Sequence, residues 1–157
     1  MRKENKKELK TGFVYFVLLP VVLIFLTIGI FATPVLIDNI ACTVYKNRII
    51  KSIMLPENAI VIDTVSGCGN TSGTGNHTES YVAVLVKSDT PLNRSELSKT
   101  VNVKFDDFDV FSFKEPTFTP GAVSVSFVLS EEQNIDDYYV LWFCRRAPMS
   151  WLDIRGS

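Results

Sequence analysis

The longest pattern in the chain is an unbroken apolar one: Thr11 to Ile37 contains 27 residues and no charge. A helix crosses a bilayer core with about 20 apolar residues, and a cleaved signal uses a shorter apolar run. The run therefore predicts a membrane-spanning helix over residues 12–37. Beyond it the pattern becomes amphipathic. "DNIACTVYKNRIIKSIML" (38–55) places Ile40, Ala41, Val44, Tyr45, Ile49 and Ile53 at roughly helical spacing, so the helix is expected to continue until Pro56 stops it. Pro34 offers a place for a kink.

After Pro56 the period shortens towards that of strands. "AIVIDTV" (59–65) and "SYVAVLVKS" (80–88) are β-branched runs on either side of a polar, glycine-rich connection. "PLNRSELSKTV" predicts a short helix to about Val101, with Asn93 as N-cap and Glu96 as its capping-box partner. "VKFDDFDVFSF" (103–113) is aromatic and mixed. "AVSVSFVL" (122–129) alternates, with Val123, Val125, Phe127 and Leu129 on one face and Ser124 and Ser126 on the other. "YYVLWFC" (138–144) is apolar on both faces, as a central strand is. These elements predict an α+β domain: an antiparallel sheet of about five strands with helix on at least one face. Trp142, Phe143, Val84, Leu85 and Phe127, in the middle of the most apolar runs, are the expected core.

Charge then orients the chain. Of 16 basic and 17 acidic side chains, the first ten residues hold five and two, which leaves 11 and 15 beyond them, a net charge of −4. The basic cluster Arg2, Lys3, Lys6, Lys7 and Lys10 precedes the apolar run, and positive residues beside a span stay cytoplasmic. The expected organisation is a cytoplasmic basic tail (1–11), a span (12–37) and an outer domain (38–157) in the cell membrane. Its partners would be the bilayer and, through the outer domain, another protein. A mildly acidic outer domain without a clustered basic face is a poor fit to nucleic acid.

The chemistry-bearing residues concentrate in "VSGCGNTSGTGNHTES" (65–80), which holds four of the eight glycines, the only histidine and one of three cysteines. Gly67, Gly69, Gly73 and Gly75 follow a strand as in a dinucleotide fingerprint, but that site needs a helix next and a strand follows. No Gly-Lys-Ser/Thr is present, so neither nucleotide motif is complete and no cofactor is implied. Cys68 and His77 are the candidate nucleophile and base, since a thiolate is activated by a base within hydrogen-bond reach. The plainer reading is a hairpin connection from Ser66 to Thr78, in which glycine supplies positive φ and Asn, Ser and Thr satisfy backbone groups. As a binding loop it would present Gly67, Gly69, Gly73, Gly75 and Asn76.

The remaining motifs are weaker. The cysteines have neither CxxC spacing nor a paired Cys/His pattern, so no metal site is expected. Asp106, Asp107 and Asp109 lack the glycine and distal glutamate of a calcium loop. "NIAC" ahead of Cys42 has Asn39 where a lipid-attachment motif has an aliphatic residue. Asn70, Asn76 and Asn93 head sequons in predicted loops. In an oxidising compartment Cys42, Cys68 and Cys144 allow three pairings. With Cys42 assigned to a helix at the membrane surface and Cys68 and Cys144 to strand ends, Cys68–Cys144 is the expected bridge.

Two resemblances add to this. "KTGFVYFVLLPVVLIFLTIGIFATP" resembles a type IV pilin or pseudopilin N-terminus, with a basic leader ending at Gly12, Phe13 as first mature residue and Pro34 where many pilins carry proline. That family's acidic fifth mature position is Val17 here. "SGCGNTSGTGNHTESYVAVLVKS" is similar to a segment of small membrane-anchored bacterial proteins, which implies a shared fold without an activity. The resulting expectation is a single-pass, membrane-anchored outer domain with a binding or structural role. The alternatives are a pilin-like assembly subunit and an extracytoplasmic enzyme using Cys68 and His77.

Overall fold

A computed structural model describes residues 2–73, 77–129, 135–153 and 155, with side chains from residue 15 onward. The element order is α1 (Arg2–Ser52), β1 (Ala59–Gly69), β2 (Glu79–Ser88), α2 (Arg94–Thr100), β3 (Asp107–Ser112), β4 (Thr117–Phe118), β5 (Val125–Ser126) and β6 (Tyr138–Arg146), with a 3-10 turn at Ile135–Asp137. The fold is α+β. Contacts divide it into two compact units, Met1–Thr33 and Pro34–Ser157.

In the first unit the described side chains of α1 are exposed, among them Phe16, Phe25 and Ile30. Tyr15–Ser52 is the one described helix long and apolar enough to cross a bilayer, with a mean hydropathy of 2.7 in its most apolar window. A single apolar N-terminal helix is compatible with a membrane anchor and also with a signal sequence.

The second unit is built on a four-stranded antiparallel sheet in the order β1-β2-β6-β3. The two interior strands are largely apolar on both faces, because each must fill a core on both sides of the sheet. On one face Val82, Val84 and Val86 of β2 and Leu141 and Phe143 of β6 pack with Tyr45 and Ile49 of α1 and Leu97 of α2. On the other, Ala83, Leu85, Val140 and Trp142 pack with Phe113, Val125 and Phe127. All five expected core residues are buried.

Three expectations need correction. The 122–129 run does not join the main sheet. Only Val125–Ser126 is strand, paired with Thr117–Phe118 as a separate two-stranded ribbon that the sequence reading missed. Its alternation still holds, since Val125 and Phe127 face the core and Ser124 and Ser126 face out. Second, β1 extends through Gly69, so the β1–β2 connection is Asn70–Thr78 and begins four residues later than expected. Gly67 lies opposite Tyr81, and a Cβ there would sit 2.4 Å from the Tyr81 hydroxyl, so glycine lets the ring lie over the strand. Third, the buried stripe of α1 in this unit is Asp38, Cys42, Tyr45 and Ile49, while Ile40 and Val44 are exposed. The helix turns Asp38 and Cys42 inward, where the Met149 amide after β6 and the Gly67 carbonyl of β1 give them hydrogen-bond partners.

Candidate functional site

The chemistry gathers at one end of the sheet, where β1 finishes, β2 begins and β6 finishes. It forms two clusters, a thiol pair and a charged cleft around the strand ends; Arg145, opposite Ser80, shares the pleat of Cys68, and Arg146 lies opposite Glu79. Cys68 pairs with Ser80, whereas the next pair, Gly69 and Glu79, belongs to the opposite pleat.

The first cluster holds the thiols. Cys42 donates from Sγ to the Gly67 carbonyl at 3.1 Å, and Cys68 donates from Sγ to the Asp38 carbonyl at 3.3 Å. Asp38 is one helical turn before Cys42, and Gly67 is next to Cys68, so each thiol reaches the backbone beside the other. The neighbouring Cys68 and burial push the Cys42 thiol up, while the neighbouring Cys42 lowers Cys68 to about 7.

Carboxylates lie against this pair. Asp38 is fully buried, with Oδ1 accepting from the Met149 amide at 2.8 Å and Oδ2 without a hydrogen-bond partner among the described residues. Burial, with the adjacent Asp153, raises the Asp38 carboxyl above its usual range. Asp153 is lowered by the Arg155 guanidinium, which forks onto its carboxylate and also donates to Asn39 Oδ1 at 2.7 Å. The signs are opposite. Protonated Asp38 contributes stability at acid pH that is lost as pH rises through its raised folded pKa. Ionised Asp153 contributes stability that is lost as pH falls through its lowered folded pKa. Asp38→Asn keeps an acceptor for Met149, so the expected result is a flattening of the alkaline-side decline in Tm from acid to neutral pH, with the acid-side decline retained. Tm measured against pH in both proteins checks it.

The second cluster lines an open cleft of about 660 Å³ bounded by His77, Glu79, Lys104, Asp106, Arg145, Arg146 and Ala147. Its two acids are engaged. Glu79 takes His77 Nε2 at 3.2 Å and the Thr71 hydroxyl, and Asp106 Oδ2 accepts the Arg146 amide at 2.7 Å. Its cations have no such partner: no described carboxylate lies within ion-pair distance of Lys104, Arg145 or Arg146. The Arg145 guanidinium lies 4.6 Å from the Tyr45 ring centroid, and its Nε is buried without a described hydrogen-bond partner.

The sequence candidates are thus distributed differently from expectation. Cys68 meets Cys42, Asp38 and Ser80, and His77 meets Glu79; the structure does not bring Cys68 and His77 together as nucleophile and base. The low pKa of Cys68 comes from Cys42. The structure does not form the expected Cys68–Cys144 bridge: all three cysteines are free thiols, and β2 stands between β1 and β6. Two strand spacings, about 9.5 Å, exceed the Cα reach of a disulfide. Cys144 instead lies 3.5 Å from the Thr71 hydroxyl, and burial pushes its thiol up to about 12.

Within the loop, Asn70 Oδ1 accepts the Gly73 amide at 3.0 Å, and Gly73 has φ +67°, so these two form a local turn. Gly67 and Gly69 belong to β1. Gly75 and Asn76 lie outside the described residues. Of the aspartates, Asp107 and Asp109 face Arg94 at 3.7 and 3.6 Å. The sequence reading missed the Cys42–Cys68 contact and the cationic cleft; the signal for the latter was the Arg145-Arg146 pair ending an otherwise apolar strand. Comparison with protein-family models, with curated proteins and with solved structures returned no match.

Proposed function

We propose that the chain is a single-pass membrane protein with a cytoplasmic N-terminus, whose outer domain is a binding module for ligands carrying a carboxylate or phosphate. The observation that carries this reading is the cleft in which Lys104, Arg145 and Arg146 have no carboxylate partner among the described residues while Glu79 and Asp106 are engaged. Arg145, stacked on Tyr45, is held in place before a ligand arrives, which lowers the entropic cost of binding. An arginine fork matches a carboxylate or phosphate through paired N–H donors. The unit net charge of −4 disfavours long-range capture of anions, so recognition is local to the cleft.

The test is titration of the full-length protein in detergent with inorganic phosphate and with pentaglutamate. Saturable binding of at least one probe is expected, weakening as salt rises. Arg145→Gln should cost roughly ten-fold in affinity, in line with loss of one charge-assisted hydrogen bond. Lys104→Gln should weaken binding with Tm unchanged, which separates recognition from packing on Tyr45. Absence of saturable binding to both probes overturns the reading. Protease added to spheroplasts should digest the outer domain and spare the basic tail.

A second reading, a pilin-like assembly subunit, is favoured by the long apolar helix leading into an antiparallel sheet. It requires a mature N-terminus at Phe13, whereas the anchor reading requires one at or next to Met1. N-terminal sequencing decides between them.

A further inference from the structure

We infer that Cys42 and Cys68 are a redox-active pair that closes into a disulfide, stapling α1 to the edge strand β1. Three observations carry it. The thiols cross, with Cys42 Sγ at 3.1 Å from the Gly67 carbonyl and Cys68 Sγ at 3.3 Å from the Asp38 carbonyl, so each stands against the backbone beside the other. They differ in access: Cys42 is 4% exposed, while Cys68 is half-buried. Finally, β1 is held by hydrogen bonds on one side only, with Ile60 and Val61 exposed on it, so it is the strand that gains most from a second attachment. Cys144 has no place in this chemistry, being separated from Cys68 by β2 and set against Thr71.

The chemistry is thiol–disulfide exchange with an external disulfide, either a small molecule such as oxidised glutathione or the disulfide of a thiol oxidoreductase. Cys68, the more accessible thiol and the more easily ionised, attacks one sulfur of that disulfide; the S–S bond breaks and the other sulfur leaves as a thiolate. Cys42 then gives up its proton and attacks Cys68 Sγ in the mixed disulfide, releasing the second external thiol. The two protein thiols lose two electrons and two protons in all, and the external disulfide gains both.

The experiment uses the full-length protein in detergent, exposed to oxidised glutathione, then alkylated and mapped without reduction. The expected product links the peptide containing Cys42 to that containing Cys68, with a loss of two hydrogens, and leaves Cys144 alkylated only after unfolding. Dithiothreitol should then lower Tm by roughly 10 °C, as expected for opening a ring of this size in a domain of this length. Cys68→Ser should abolish that reductant-dependent shift, and Cys144→Ser should retain it. If Cys68→Ser does not fold, Cys42→Ala serves the same purpose, and mapping of the wild type stands without either. Recovery of Cys42 and Cys68 as separate alkylated thiols, or a link involving Cys144, overturns the inference. These outcomes are independent of anion binding in the cleft.

Discussion

Phe143→Ala is expected to destabilise the sheet-bearing unit by about 3–5 kcal/mol, a large share of the stability of a domain of this size. Phe143 is fully buried in the middle of β6, on the face covered by α1 and α2. Its ring stacks on Phe108 at 4.6 Å and meets Phe105 edge-on at 6.1 Å, so truncation removes two aromatic contacts as well as buried area. β6 itself is hydrogen-bonded on both sides, to β2 and β3, so its backbone cannot collapse into the space. Chemical denaturation of wild type and variant in the same detergent measures the difference. A change below about 1 kcal/mol would show that β6 is not the centre of the core.

The second large effect is expected at Gly121, outside every candidate motif. Gly121→Val should destabilise by about 3 kcal/mol, from backbone strain added to overpacking. The backbone there has φ +115°, which L side chains rarely adopt, and a Cβ would stand 2.4 Å from the Thr71 carbonyl oxygen. That carbonyl accepts the Ala122 amide at 3.0 Å, so the turn before β5 is docked on the start of the β1–β2 connection. Thr71 in turn bonds Glu79, which lines the cleft. The variant should therefore lose anion affinity along with stability, whereas Gly29→Ala should change neither, since a Cβ there meets no atom within 4 Å. Denaturation and phosphate titration of both variants check this.

Local pattern carried the elements because it reports the period of the backbone. β6 was legible as an interior strand from apolar residues on both faces, β2 as a strand from its β-branched run, and α2 from its cap, where Asn93 Oδ1 accepts the Ser95 amide at 2.8 Å. The short β4–β5 ribbon was not legible, since two-residue strands leave no periodic signal. The α1 stripe was misread because Ile40 and Val44 are the more apolar residues, yet Asp38 and Cys42 are turned inward. A hydrophobic pattern ranks side chains by their cost in water, and it cannot rank them by the hydrogen bonds a distant strand will provide.

The sequence by itself thus determined the long apolar helix, the α+β class, the interior strands and most of the core, all consequences of residue spacing within one element. Only the tertiary structure decided that Cys68 meets Cys42 rather than Cys144 or His77, and that Lys104, Arg145 and Arg146 share a cleft. The reason is strand order. Inserting β2 between β1 and β6 separates Cys68 from Cys144, and the pleat sends Cys68 and Glu79 to opposite faces. Order and pleat together are set by pairings between residues far apart in the chain, for which no stretch of ten residues holds the information.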